Sequence, residues 1–216
     1  MKATKRMTFY GWMSLLLAAQ VLAGTLKDNF NDGDLDGWTH DCSHLDPLGN
    51  VGLCKTKTGD STWKIEKGIL TVSAGELDQI PFISIGDQSW RNYTVYVRTR
   101  LVKHQPRNSW NESAGLAVRV ATILDFYMIG LGTVSFNPKT AHIFYLQNNF
   151  GIRNLRTTPF EWKINKWYQL KVEAKGDQLK YYVDGKLLVG YKDGTHSTGR
   201  VAIWGGIHST VFQYDD

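Results

Sequence analysis

From Trp167 to Leu188 apolar and polar residues alternate with a period of two, the signature of strands with one buried face. Tyr168, Leu170, Val172 and Ala174 form one face, and Gln169, Lys171 and Glu173 the other. Gly176-Asp177 and Asp184-Gly185 are two-residue turn signals, so the stretch predicts two strands and the start of a third. With Gly176 and Asp177 as the loop, Ala174 faces Leu179, Val172 faces Tyr181 and Leu170 faces Val183, all apolar pairs. Further strands are predicted at Leu26–Phe30, Trp63–Ile65, Ile69–Ser73, Ile80–Ile85, Tyr93–Leu101 and His142–Gln147. In the Tyr93 strand, Tyr93, Val95, Val97 and Leu101 share one face, and Thr94, Tyr96, Arg98 and Arg100 the other. Gly115–Ala121 and Asp125–Leu131 form a hairpin. Centred on Ile123, it pairs Val118 with Met128 and Val120 with Phe126 on a core face, and Arg119 with Tyr127 on the opposite one.

The first 23 residues follow another rule. Lys2, Lys5 and Arg6 precede an apolar run from about Met7 to Leu22, and small residues up to Ala23 fit a signal-peptidase site. The run is shorter than the roughly 20 residues a spanning helix needs. Residues 1–23 are therefore expected to be a signal peptide, with an uncleaved amphipathic anchor as the alternative. Cleavage would make the protein secreted or periplasmic. It would also remove three basic residues and no acids, leaving 22 against 20 and a net charge of +2 instead of +5. A nearly balanced surface offers no electrostatic footprint for nucleic acid or anionic membrane.

The remaining residues, 24–216, suffice for one domain with a sizeable core. Recurrent turn pairs, many aromatics and no amphipathic helix pattern predict an all-β fold, an antiparallel sandwich. The alternating strand, its Gly-Asp turn, VDG, GRVAIWG, the opening DNFNDGDLDGW and the closing VFQYDD together resemble the laminin-G-like and concanavalin A-like jelly rolls. The sandwich domains of keto-disaccharide hydrolases and fructan-binding modules share that fold. The resemblance spans roughly Leu26 to Asp216 and implies a concanavalin A-like jelly roll. It does not fix the function.

Asp32, Asp34 and Asp36 match the first half of an EF-hand loop, but Ser43 stands where the closing Glu belongs. The residues read either as an Asx-rich turn or as part of a calcium site. The resemblance implies that such a calcium ties the chain ends, bringing in Asp28 and Asp215 or Asp216. Cys42 and Cys54 are the only cysteines, and in an exported chain they read as one disulfide; a zinc site with His40 and His44 is the alternative. Asn92 and Asn111 begin glycosylation sequons, meaningful only in a eukaryotic secretory path.

In the resembled jelly rolls, four neighbouring strands make a concave sheet whose outer face takes a glycan. Placing Tyr96, Arg98, Arg119, Tyr127 and Tyr145 on that face gives aromatic rings for C–H surfaces and guanidinium donors for hydroxyls or a carboxylate. Phe144 and Leu146 then face the core. Jelly-roll glycosidases resembling the laminarinases carry two Glu flanking an Asp. Glu76-Leu77-Asp78 begins that pattern, and Ile80-Pro81 breaks it. The keto-disaccharide hydrolases close on a segment like LQ-x-H-G, from which AIWGGIHSTVFQYDD departs; His208 in it reads as a loop residue. The expectation is a monomeric, non-catalytic module binding an oligo- or polysaccharide. The alternatives are a glycoside-processing enzyme of the same fold, or a structural, adhesive module that binds protein.

Overall fold

A computed structural model describes residues 26–45, 51–53, 61–74, 79–103, 113–133, 139–147, 151–205 and 210–215. Among these residues every regular element is a strand: β1 (Thr39–Leu45), β2 (Val51–Leu53), β3 (Thr62–Glu66), β4 (Ile69–Ser73), β5 (Gln79–Ile85), β6 (Tyr93–Lys103), β7 (Ser113–Thr122), β8 (Asp125–Thr133), β9 (Lys139–Gln147), β10 (Gly151–Pro159), β11 (Tyr168–Lys175), β12 (Gln178–Val183), β13 (Lys186–Lys192), β14 (Arg200–Trp204) and β15 (Val211–Asp215). They form two antiparallel sheets. The first runs β10-β9-β8-β7-β14-β5-β1-β2 and the second β13-β12-β11-β6-β15-β4-β3. This is the jelly-roll sandwich that the alternating segments predict. The expected strand at Leu26–Phe30 is instead an irregular segment.

The β11–β12 ladder has the predicted register, with Leu170 opposite Val183, Val172 opposite Tyr181 and Ala174 opposite Leu179. Alternation decides this register because only one face of these strands is buried, and a slip by one would expose the apolar set.

The β7–β8 hairpin departs from expectation. Val118 pairs with Tyr127 and Ala117 with Met128, and the register shifts between Val118 and Thr122. A bulge absorbs the offset, with Arg119 in the left-handed region at φ 52°. Arg119 and Tyr127 are therefore not an outward-facing cross-strand pair. The expected grouping of four strands fails too, because β6 lies in the opposite sheet from β7, β8 and β9.

The inter-sheet core takes Val118, Tyr127, Ile129, Ile143 and Tyr145 from the first sheet, and Val97, Leu170, Val172, Leu179 and Tyr181 from the second. Tyr145 thus faces inward, while Phe144 and Leu146 point to the other face of the first sheet, the reverse of the expectation. That other face is also buried, around Phe82, Ala117, Phe126, Met128, Phe144, Ala202 and Trp204. Strands buried on both faces read as continuous apolar runs, so their pattern cannot say which face is which.

Candidate functional site: an inter-sheet cleft

The outer face of the eight-stranded sheet, where the glycan groove is expected, carries buried apolar side chains. Phe82 on β5 and Phe126 on β8 have ring centroids 5.2 Å apart, although β14 and β7 lie between their strands. In a flat sheet three strand spacings would separate them by about 14 Å. Curvature and the small, register-paired Ala117 and Ala202 let the rings meet. Alongside, Trp204 packs over the row that joins Gly115 and Gly130. A Cβ on Gly130 would lie 3.0 Å from the Trp204 ring and closer still to the Ala114 carbonyl. His142 stacks on Phe144 at 4.3 Å, and burial lowers its pKa to about 3.

The five residues expected to share a groove fall into two places. Arg119 (0% exposed), Tyr127 (0%) and Tyr145 (2%) lie inside the sandwich, whereas Tyr96 (59%) stands in solvent on β6. Arg119 donates from one terminal nitrogen to the carbonyl of His196 at 2.7 Å and from the other to the carbonyl of Gly176. Its backbone N–H donates to the Tyr93 hydroxyl at 2.6 Å. Tyr127 donates to Asp193 at 2.8 Å, and the Tyr145 hydroxyl meets the His196 ring at 2.8 Å. Burial pushes the phenols of Tyr127 and Tyr145 up and the imidazole of His196 down. This cluster is a closed, hydrogen-bonded end of the sandwich, with little surface for a ligand.

Tyr96 and Arg98 belong to a different feature. β15 pairs with β6 only from Arg98 to Lys103, so Tyr93–Val97 has β11 on one side and no described strand on the other. A cavity of about 780 Å³ opens there between the sheets. Such a volume lies within the range of small-molecule sites, about 300–1,000 Å³. Val95 and Val97 line it from one sheet, and Ile85, Leu116, Val201 and Ile203 from the other. Its polar and aromatic lining includes Asp28, Trp38, Trp90, Arg91, Asn92, Tyr93 and Asp215, and Tyr96 borders it from β6 with its side chain on the strand's outer face.

Local contacts position these groups. Trp38 donates its indole N–H to Asp28 at 2.6 Å, and the other oxygen of Asp28 accepts the backbone N–H of Phe30 at 2.8 Å. Trp90 lies against Gly86, where φ is 105° and a Cβ would collide with the indole. Its ring meets Tyr93 edge-on at 6.2 Å. Burial pushes the Tyr93 hydroxyl up to about 12, which keeps it a neutral acceptor for Arg119. Arg98 bonds Asp215 at 2.9 Å, and Arg98 and Arg100 both sit over the Trp167 ring, at 5.0 and 4.7 Å.

The acidic residues proposed for calcium do not converge. Asp32 and Asp34 accept backbone N–H groups two residues on, as Asx turns do. Among the described residues no group of three or more His, Cys, Asp or Glu side chains gathers as a metal site. Cys42 is buried on β1, and Cys54 lies outside the described residues, as do Glu76-Leu77-Asp78, Asn111, His208 and residues 1–23. Trp38 and Trp90 were not singled out as ligand residues by sequence, because both sit in turns where periodicity gives no signal.

Fold and site together define a concanavalin A-like jelly roll with a cleft between its sheets. The chain belongs to the 3-keto-alpha-glucoside-1,2-lyase-like domain family, whose profile matches residues 25–212. Solved structures of similar fold include the carbohydrate binding module CBM66 from Bacillus subtilis, at 16% identity and a TM-score of 0.61, covering 83% of this chain and 92% of that one. The Emp47p carbohydrate recognition domain aligns at 9% identity and a TM-score of 0.50, covering 87% and 90%. A xylan beta-1,4-xylosidase from Bacillus halodurans aligns at 17% and 0.54, covering 88% of this chain and 38% of that one. No curated protein sequence matches the chain.

Proposed function

We infer that the chain is an exported, non-catalytic carbohydrate-binding module that engages its glycan at the mouth of the inter-sheet cleft. One observation carries the reading: the side chains of Trp38, Trp90 and Tyr93 share one cavity with Asp28, Arg91, Asn92 and Asp215. Rings cover the C–H faces of a sugar, and charged or amide groups bond its hydroxyls. The jelly-roll likeness to a carbohydrate binding module and a carbohydrate recognition domain is consistent with this role. A glycan-array screen of the protein tests it: retention on a defined set of sugars supports the reading, and retention on none contradicts it.

The family description favours a second reading, a lyase acting on 3-keto glucosides. Elimination needs a base for the proton beside the ketone and an acid for the leaving oxygen. In the cleft Asp28 is engaged by Phe30 and Trp38, and Asp215 by Arg98, which favours binding over chemistry. Release of the aglycone from a 3-keto glucoside by the protein would establish the second reading.

A further inference from the structure

The walls of the cleft change character with depth. Sugar hydroxyls at its mouth would meet Asp28, Arg91 and Asn92, whereas Val95, Val97, Leu116, Val201 and Ile203 line the space between the sheets. Leu116, Val97 and Ile203 are 1%, 4% and 4% exposed and belong to the inter-sheet core. A hydroxyl pushed among them would lose its hydrogen bonds to water and gain none. Water itself finds few partners on such walls.

From this gradient we propose that the ligand is an amphiphilic glycoside, whose sugar lies at the mouth and whose apolar aglycone, an alkyl or acyl chain, enters between β6 and the β7–β14–β5 face. The proposal rests on the reading of the cleft as a sugar site and deepens it. The gap beside Tyr93–Val97 gives the chain its entry, because no described strand closes β6 there. Leu26, half exposed at the rim, adds apolar surface where the aglycone would pass.

The test is calorimetric titration of the full chain with methyl, butyl and octyl glucopyranoside, each below its micellar concentration, and with an octyl chain on triethylene glycol. Affinity is expected to rise along the glucoside series by about fourfold for each methylene buried. Val95→Phe, which fills the cavity, is expected to erase that gain; Val201→Phe serves if the first variant does not fold. Equal affinities for methyl and octyl glucoside overturn the aglycone site and leave the sugar reading standing. Absence of octyl glucoside binding overturns the proposal. Octyl triethylene glycol binding as tightly as octyl glucoside leaves an apolar cavity but overturns the glycoside, and with it the sugar reading.

Discussion

The guanidinium of Arg119 donates to the carbonyl of Gly176, so a bulge in one sheet is bolted to the β11–β12 turn of the other. The same side chain holds the carbonyl of His196, and its backbone N–H is held by Tyr93, a residue that also lines the cleft. A fully buried cation bonded to carbonyls closes one end of the sandwich.

Arg119→Ala should therefore destabilise the protein by about 3 kcal/mol, since it strands buried carbonyls without donors. Urea unfolding of wild type and variant measures this. A change within about 0.5 kcal/mol, the usual range for a surface residue, would mean that the side chain is not bolted in.

Gly130→Ala should cost about 2–4 kcal/mol, because the added methyl meets the Ala114 carbonyl and the Trp204 ring, and backbone cannot give way cheaply. A melting curve superimposable on wild type would show that Trp204 does not rest on this row.

Acid should weaken the fold through His142. Its folded pKa, about 3, lies below the ordinary value of 6.5, because burial disfavours the cation. The unfolded chain then binds the extra proton, so stability is retained above about pH 6.5 and lost as pH falls toward 3. Between pH 6.5 and 4 the loss from this group is about 3 kcal/mol. Denaturant midpoints at both pH values measure it, and His142→Leu should shrink the difference; an unchanged difference would assign the acid sensitivity elsewhere.

The N-terminal part of the chain carries two further expectations. Cys42 is buried on β1, and Cys54 is the only other cysteine. Mass spectrometry of native protein should show a gain of two hydrogens on reduction, and two free thiols would exclude the disulfide. Calcium should leave the melting temperature where chelator puts it, because Asp28, Asp32 and Asp34 already accept N–H donors. A rise in millimolar calcium would reveal a site through mass action.

What the sequence made legible follows burial. β11, β12 and β6 each bury one face, and their alternation fixed both the Leu170–Val183 register and the outward stance of Tyr96. β7, β8 and β9 are buried on both faces, so alternation there carried no polarity, and Tyr127 and Tyr145 were assigned to the wrong side. The bulge at Arg119 was hidden as well, since arginine gives no sign of a left-handed backbone. Tyr96 and Arg98 were separated from Arg119 by a chain crossing between sheets that no local pattern encodes. Trp38 and Trp90 reach the cleft from turns, through partners at Asp28 and Gly86 that only the fold brings close.

The central claim is that a sugar stacks at the mouth of the cleft, and Trp90 tests it most directly, being half-buried in the cleft lining and outside the core clusters. The measurement is a calorimetric titration of wild type and Trp90→Ala with the best glycan from the array, alongside their melting temperatures. Losing the ring should weaken binding about tenfold, from the roughly 1.5 kcal/mol an aromatic contact supplies, with the variant still folded. Wild-type affinity in a folded Trp90→Ala would place the glycan elsewhere on the protein and contradict the account.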